Sequence, residues 1–260
     1  MAKEVGVEWI NAYDCHNPLT HEHEDAGGFY NELVNHDGWT GKFNWGNSNA
    51  FEEDFKRTDK GGTANAWVDA ADFVYFTGHG SPFVAAYFRC DVPDDDRLEA
   101  DHYSGPDNGD LRLGKVDLEW IAFEVCNTLQ MNADKAGVNY DVFDRWMKAF
   151  QGMHIMCSFI TTSNDEPTPG KYFASLCDGR WLSVIFGFPS WFKSACKVID
   201  SWFMMTSLTQ PDWAESAVLY ANTEGTDTHN DYIHGHGHVS KHPVPGSAGW
   251  FSWTWVPHTC

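Results

Sequence analysis

The sequence predicts an α/β fold, a mainly parallel sheet of about six strands with helices on both faces. Short apolar runs rich in β-branched and aromatic residues recur at 73–77, 118–125 and 153–160, each of strand length. Amphipathic stretches fall around them at helical period, a β–α–β cadence that implies parallel strands joined by crossovers. Two of the apolar runs stop in residues able to do chemistry, and the carboxyl ends of strands are where open α/β sheets hold their sites.

Residues 5–13 alternate well enough for a first strand and lead into a polar loop, 14–24, that contains His16, His21 and His23. Asp25 is expected to cap a helix from 26 to about 35, with Phe29, Tyr30, Leu33 and Val34 on one face. Gly38 ends it, 39–45 reads as extended, and 51–57 suggests a short acidic helix. A Gly61-Gly62 turn precedes the strand Phe73-Val74-Tyr75-Phe76-Thr77-Gly78-His79-Gly80. Residues 91–114, with Asp94-Asp95-Asp96 and Asn108-Gly109, read as a long acidic surface insertion. A calcium-binding loop is the alternative there, although EF-hand spacing is lacking. After the strand ending Phe123-Glu124-Val125-Cys126, residues 140–151 suit an amphipathic helix and 153–160 another strand. Helices are expected at 170–177 and 181–205, the second broken at Pro189 and apolar on more than one face, to cover the sheet or form a dimer surface. A last strand is expected at 216–222. The chain has no internal repeat or linker, so it reads as one domain over 1–260 with a His-rich loop at 229–242.

The chemistry lies at His79 and Cys126. A thiol needs a nearby base or cation to become a thiolate near neutral pH, and an imidazole supplies either. Cys126 follows His79 by 47 residues, a spacing that suits a pair brought together from adjacent parallel strands. Taken singly, each has a plainer explanation: His-Gly after a strand is a common turn, and a strand cysteine is usually a small hydrophobe.

Together the two motifs resemble those of the caspase-fold cysteine peptidases (caspases, legumain, gingipains, separase, clostripain), as a distant, bacterial-type branch. In that superfamily an apolar strand ends in His-Gly and a later one in a polar residue, a small residue and Cys. The resemblance implies His79 as catalytic histidine, Gly80 as its partner glycine, Cys126 as nucleophile and Glu124 as the polar residue two before it, which would orient the site or shape the substrate pocket. Val125 stands where Ala is usual, and nothing after Cys126 matches the caspases. The resemblance also implies that Asp14, closing the first strand, helps to build the substrate pocket and favours Arg or Lys before the scissile bond. The oxyanion donors would be the backbone N–H groups of Gly80 and Cys126. A third catalytic residue is not identifiable.

Net charge is −20, which argues against nucleic-acid and anionic-membrane partners. No leader pattern opens the chain, and no apolar run approaches the roughly 18 residues of a membrane span, so a cytoplasmic protein is expected. Seven scattered cysteines without Cys-x-x-Cys are expected to be reduced. The competing constellation is His234, His236 and His238, with His229, Asp231 and His242 nearby: a zinc or copper site is chemically open, a substrate-facing loop the plainer reading. His154 reads as a satisfied core histidine. The expectation is therefore a cysteine peptidase-like enzyme with a Cys126–His79 dyad, no cofactor and a peptide or peptide-like substrate. The alternatives are a non-hydrolytic cyclase or transferase on the same fold, and a catalytically inactive binding module. Oligomeric state stays open.

Overall fold

A computed structural model describes residues 3–90, 96–189, 193–223, 226–234 and 250–256. The first half runs β1 (Glu4–Trp9), α1 (Glu22–His36), β2 (Thr40–Gly46), β3 (Phe73–Thr77), β4 (Val84–Tyr87), β5 (Arg97–Glu99) and β6 (Trp120–Glu124). The second runs β7 (Asn132–Lys135), β8 (Val138–Asp141), α2 (Val142–Trp146), β9 (Ile155–Phe159), α3 (Pro169–Asp178), α4 (Trp181–Phe186), α5 (Val198–Thr209), β10 (Ser216–Thr223), β11 (Thr226–Asp227) and β12 (Trp250–Val256). Strands β2, β1, β3, β6 and β9 lie side by side and parallel. Strand β10 adds to β9 antiparallel and pairs in turn with β11 and β12. The fold is α/β with a mainly parallel sheet, as expected, but the sheet is mixed and larger than six strands. In β12, Phe251 and Trp253 alternate with Ser252 and Thr254 and pack onto the core.

Both motif strands are buried on two faces, which is why they read as unbroken apolar runs. Phe73, Tyr75, Trp120 and Ala122 pack with Phe29 and Leu33 of α1, Phe173 of α3 and Trp202 of α5. Val74, Phe76, Ile121 and Phe123 point the other way, into Phe55, Phe88, Leu98, Leu113 and Trp146. The three longest helices thus cover one face. The other is covered by α2, a series of 3-10 turns and the hairpins β4–β5 and β7–β8.

Several expectations need correction. Helix α1 begins at Glu22 rather than after Asp25, and the residues leading into it are anchored by side chains from other loops. Asp165 accepts the N–H groups of Thr20 (2.6 Å) and His21 (2.8 Å), and Asn11 that of His23 (3.1 Å). Asp25 is instead inside the helix and buried. From Asp96 onward the acidic insertion is structural: Leu98, Leu111 and Leu113 are core residues. Asp110 accepts the N–H of Glu99 (2.6 Å) and pairs with Lys60 (2.8 Å), while Asp101 pairs with Arg112 (2.9 Å). These carboxylates are committed to N–H groups and cations rather than arrayed for calcium. Residues 91–95 lie outside the described residues. The helix expected at 140–151 shrinks to α2 and one 3-10 turn, because Tyr140 and Asp141 belong to the β7–β8 hairpin.

The reduced thiol pool is also corrected. Cys15 and Cys90 form a disulfide across 75 residues, with Cα atoms 6.0 Å apart. Cys126, Cys157, Cys177 and Cys196 are free, and Cys260 lies outside the described residues. No described helix is long and apolar enough to cross a membrane.

Candidate active site

The parallel register of β3 and β6 pairs Thr77 with Glu124, and the Gly78 N–H continues the ladder to the Glu124 carbonyl (3.3 Å). His79 and Cys126 each follow that last pair by two residues, on neighbouring strands at the carboxyl edge. The turn after His79 lies directly against the turn after Cys126. A Cβ on Gly80 would stand 2.5 Å from Val125 Cγ2 and 3.0 Å from Thr128 Oγ1, so close approach, rather than backbone freedom, requires glycine there. The other side of the histidine turn is held by Tyr13, just past β1. The His79 N–H donates to the Tyr13 hydroxyl (2.8 Å), which donates to the Tyr87 carbonyl (3.1 Å).

His79 is half-buried, and its Nε2 lies 2.8 Å from the Asn17 carbonyl. A carbonyl can only accept, so Nε2 carries the proton and Nδ1 keeps its lone pair. Burial lowers the imidazole pKa, and the Asn17 bond offsets part of that. Cys126 is also half-buried, with Sγ 4.0 Å from Ser163 Oγ. Burial pushes its thiol up, against hydrogen bonds from Ser163. Both directions favour uncharged partners at rest, a thiol and a neutral imidazole.

Beneath Cys126 lie three buried carboxyls. The Thr77 hydroxyl bonds to Glu22 and lies 3.4 Å from Glu124, whose other oxygen is 3.4 Å from Gln210 Nε2. Asp25 accepts from the Tyr75 hydroxyl (2.7 Å) and from the Gly170 N–H. Burial lifts Asp25 to about 7. Burial and then repulsion between carboxyls lift Glu22 and Glu124 well above the usual range. One oxygen from each of Glu22, Asp25 and Glu124 lies within 4.8 Å of the others, a donor set that suits a hard cation. Shared protons neutralise it equally well.

Asp14 is exposed, and its Oδ1 accepts the Cys90 N–H (2.9 Å) beside the disulfide. Glu124, at 4 % exposure, lies under the site rather than on its surface. His234 stands at the opposite edge of the sheet, 3.5 Å from Asp37 and 3.3 Å from the Asp178 carbonyl. His236, His238 and His242 lie outside the described residues. His154 is buried and bonds Asp231 (2.6 Å), which also accepts from Trp120 Nε1 (2.9 Å). Sequence reasoning missed Tyr13, Asn17, Glu22, Ser163 and Asp165. All lie in or beside loops that follow β1 or β9 at the same edge, and that position is the one signal that could have found them.

The profile of a family described as a domain of unknown function (DUF6345) matches residues 7–255, from β1 to β12. No curated protein matches the chain.

Proposed function

This chain belongs to the DUF6345 family, and we propose that it is a cysteine-dependent enzyme acting on amide bonds through Cys126 and His79. One observation carries the reading. The bond from His79 Nε2–H to the Asn17 carbonyl fixes the tautomer that leaves Nδ1 as a base, on the strand end next to the one that bears the thiol. Here Asn17 is a positioning group: its carbonyl orients the ring and stabilises the imidazolium that forms during reaction.

The dyad starts neutral. Nδ1 takes the Cys126 proton as the sulfur attacks the substrate carbonyl carbon, and the carbonyl π pair moves onto oxygen. The N–H groups of Gly80 and Cys126 receive that oxyanion. The imidazolium then protonates the leaving amine, giving a thioester. Water, deprotonated by the same nitrogen, releases the acid and restores the thiol. A cyclase or transferase differs only in the second nucleophile, an amine in place of water.

The substrate is a peptide or peptide-like amide. The Cys15–Cys90 disulfide favours an oxidising compartment over the cytoplasm expected from sequence. A mild electrophilic cysteine probe tests the reading. Labelling at Cys126, lost in His79→Ala while Cys196 stays equally reactive, is the expected result. Labelling of Cys126 that is indifferent to His79 would leave a binding module. Product analysis on a peptide library then separates hydrolysis from cyclisation or transfer.

A further inference from the structure

Beside the dyad, a second set of chemically soft side chains converges from two distant segments. Cys15 and His16 come from the loop after β1, and Cys90 and Asp96 lie in the connection between β4 and β5. One ligand atom from each lies within 4.8 Å of the others. Asp96 Oδ2 is at the centre: 3.0 Å from Cys90 Sγ, 3.9 Å from Cys15 Sγ and 3.6 Å from His16 Nε2.

The disulfide alone does not account for this arrangement. A disulfide sulfur has no proton, so a carboxylate oxygen 3.0 Å from it sets lone pair against lone pair. His16 Nε2 is shielded from solvent and has no hydrogen-bond partner among the described residues, since 3.6 Å to Asp96 is too long for one. A shielded imidazole nitrogen, a buried carboxylate and two cysteine sulfurs that converge on one point form a donor set that suits a borderline-soft cation once the disulfide is reduced. Tetrahedral zinc, with bonds of about 2.3 Å to sulfur and 2.0–2.2 Å to nitrogen or oxygen, separates its ligand atoms by about 3.3–3.8 Å. The three distances from Asp96 Oδ2 bracket that range.

We propose that the dithiol form of this protein binds Zn2+ through Cys15, His16, Cys90 and Asp96. A dithiol reductant transfers two electrons to the Cys15–Cys90 bond by exchange, becoming a disulfide itself and leaving two thiols. Zinc then displaces the two thiol protons and takes both thiolates, His16 Nε2 and Asp96 Oδ2. The resulting centre carries charge −1, and Arg97 Nε lies 3.7 Å from the other Asp96 oxygen to offset it. Disulfide and zinc are thus alternative clamps on one loop, the loop that also delivers Tyr13 and the Asn17 carbonyl to His79. Both cysteines are exposed, so a reductant reaches the bond from solvent.

Cobalt substitution on the full-length chain tests the proposal. After reduction and removal of the reductant, wild type should take up one equivalent of Co2+ with a thiolate-to-cobalt charge-transfer band and tetrahedral visible bands. The oxidised protein should lack them. Cys15→Ser should cut the charge-transfer band to half or less, Asp96→Asn and His16→Ala should weaken binding at least tenfold, and Cys126→Ser should leave the band intact. A second measurement needs no variant: Zn2+ should raise the melting temperature of the reduced wild type and not of the oxidised protein. The proposal is overturned if reduced wild type shows no charge-transfer band, if the band survives in the Cys15→Ser, Cys90→Ser double variant, or if zinc fails to stabilise the reduced form.

Discussion

Glu22→Gln should flatten the fall of stability with rising pH. Glu22, Asp25 and Glu124 are buried together at the carboxyl edge, and their folded-state pKa values are raised, burial being the largest cause in each case. A carboxyl of this kind keeps a proton that the unfolded chain releases. Its contribution is therefore fully present below the unfolded value and lost as pH rises through the folded one, at about 1.4 kcal/mol per pH unit for each proton. For Asp25 the window runs from 3.8 to about 7, and for Glu22 it opens at 4.5. An amide at position 22 keeps an oxygen for the Thr77 hydroxyl but has no proton to hold. The variant should match wild type within about 1 kcal/mol at pH 4.5. It should then gain on wild type as pH rises above 4.5, by at most about 1.4 kcal/mol per pH unit. Urea unfolding of both proteins between pH 4.5 and 8 measures the difference directly. A difference that does not grow with pH, or a variant less stable than wild type at pH 7, refutes the reasoning.

Three further outcomes are expected. Because burial lowers the His79 pKa below the usual imidazole value of 6.5, the acidic limb of Cys126 alkylation, or of kcat/KM once a substrate is known, should lie below pH 6.5; a limb above pH 7 would contradict the neutral dyad. Gly80→Ala should cut turnover by tenfold or more, about 1.4 kcal/mol in the barrier, because its Cβ meets Val125 Cγ2 at 2.5 Å. Val125→Ala should restore part of that loss in the double variant, and the absence of rescue would separate Gly80 from the Val125 contact. Asp14→Asn should lower turnover of peptides with Arg or Lys before the scissile bond by about tenfold and spare neutral ones; equal losses for both would confine Asp14 to holding the Cys90 N–H.

The legible part of this protein is the part that is buried twice. Residues 73–77 and 120–124 face apolar layers on both sides, so their strand character, order and parallel pairing follow from composition and length alone. The His-Gly turn is legible for a related reason, since the Val125 side chain leaves no room for a Cβ at Gly80. What escaped depends on partners far away in sequence. The anchor of the approach to α1 comes from Asp165, 144 residues beyond His21, and the disulfide spans 75 residues. The β7–β8 hairpin turns through Ala136 and Gly137, both at positive φ, and an alanine in that position does not advertise a turn. The Asn17 contribution to His79 is a backbone carbonyl, which no side-chain pattern can signal.

Both edges of the parallel sheet hold carboxyls with raised pKa values, Glu119 at the amino edge reaching about 7, but the cluster at the carboxyl edge lies beside Cys126. At the amino edge Asp231 meets an imidazole and an indole N–H through one oxygen, while its other oxygen is buried without a hydrogen bond among the described residues. At the carboxyl edge Glu22, Asp25 and Glu124 are met, among the described residues, by hydroxyl, amide and backbone N–H groups, and they lift one another's pKa or that of nearby groups. A fold shaped for stability alone would replace such a cluster with apolar side chains of similar volume, which is often neutral or stabilising. Strongly perturbed carboxyls next to a half-buried cysteine fit a site in which their charge matters to reaction. Glu124 also raises the Cys126 thiol pKa, as a lesser cause than burial. Glu124→Gln should therefore stabilise the protein at pH 7 while shifting the alkaline limb of Cys126 labelling to lower pH. A variant that gains stability and leaves that limb unmoved would make the carboxyl cluster a matter of packing, and would weaken the case for an enzyme against the binding module.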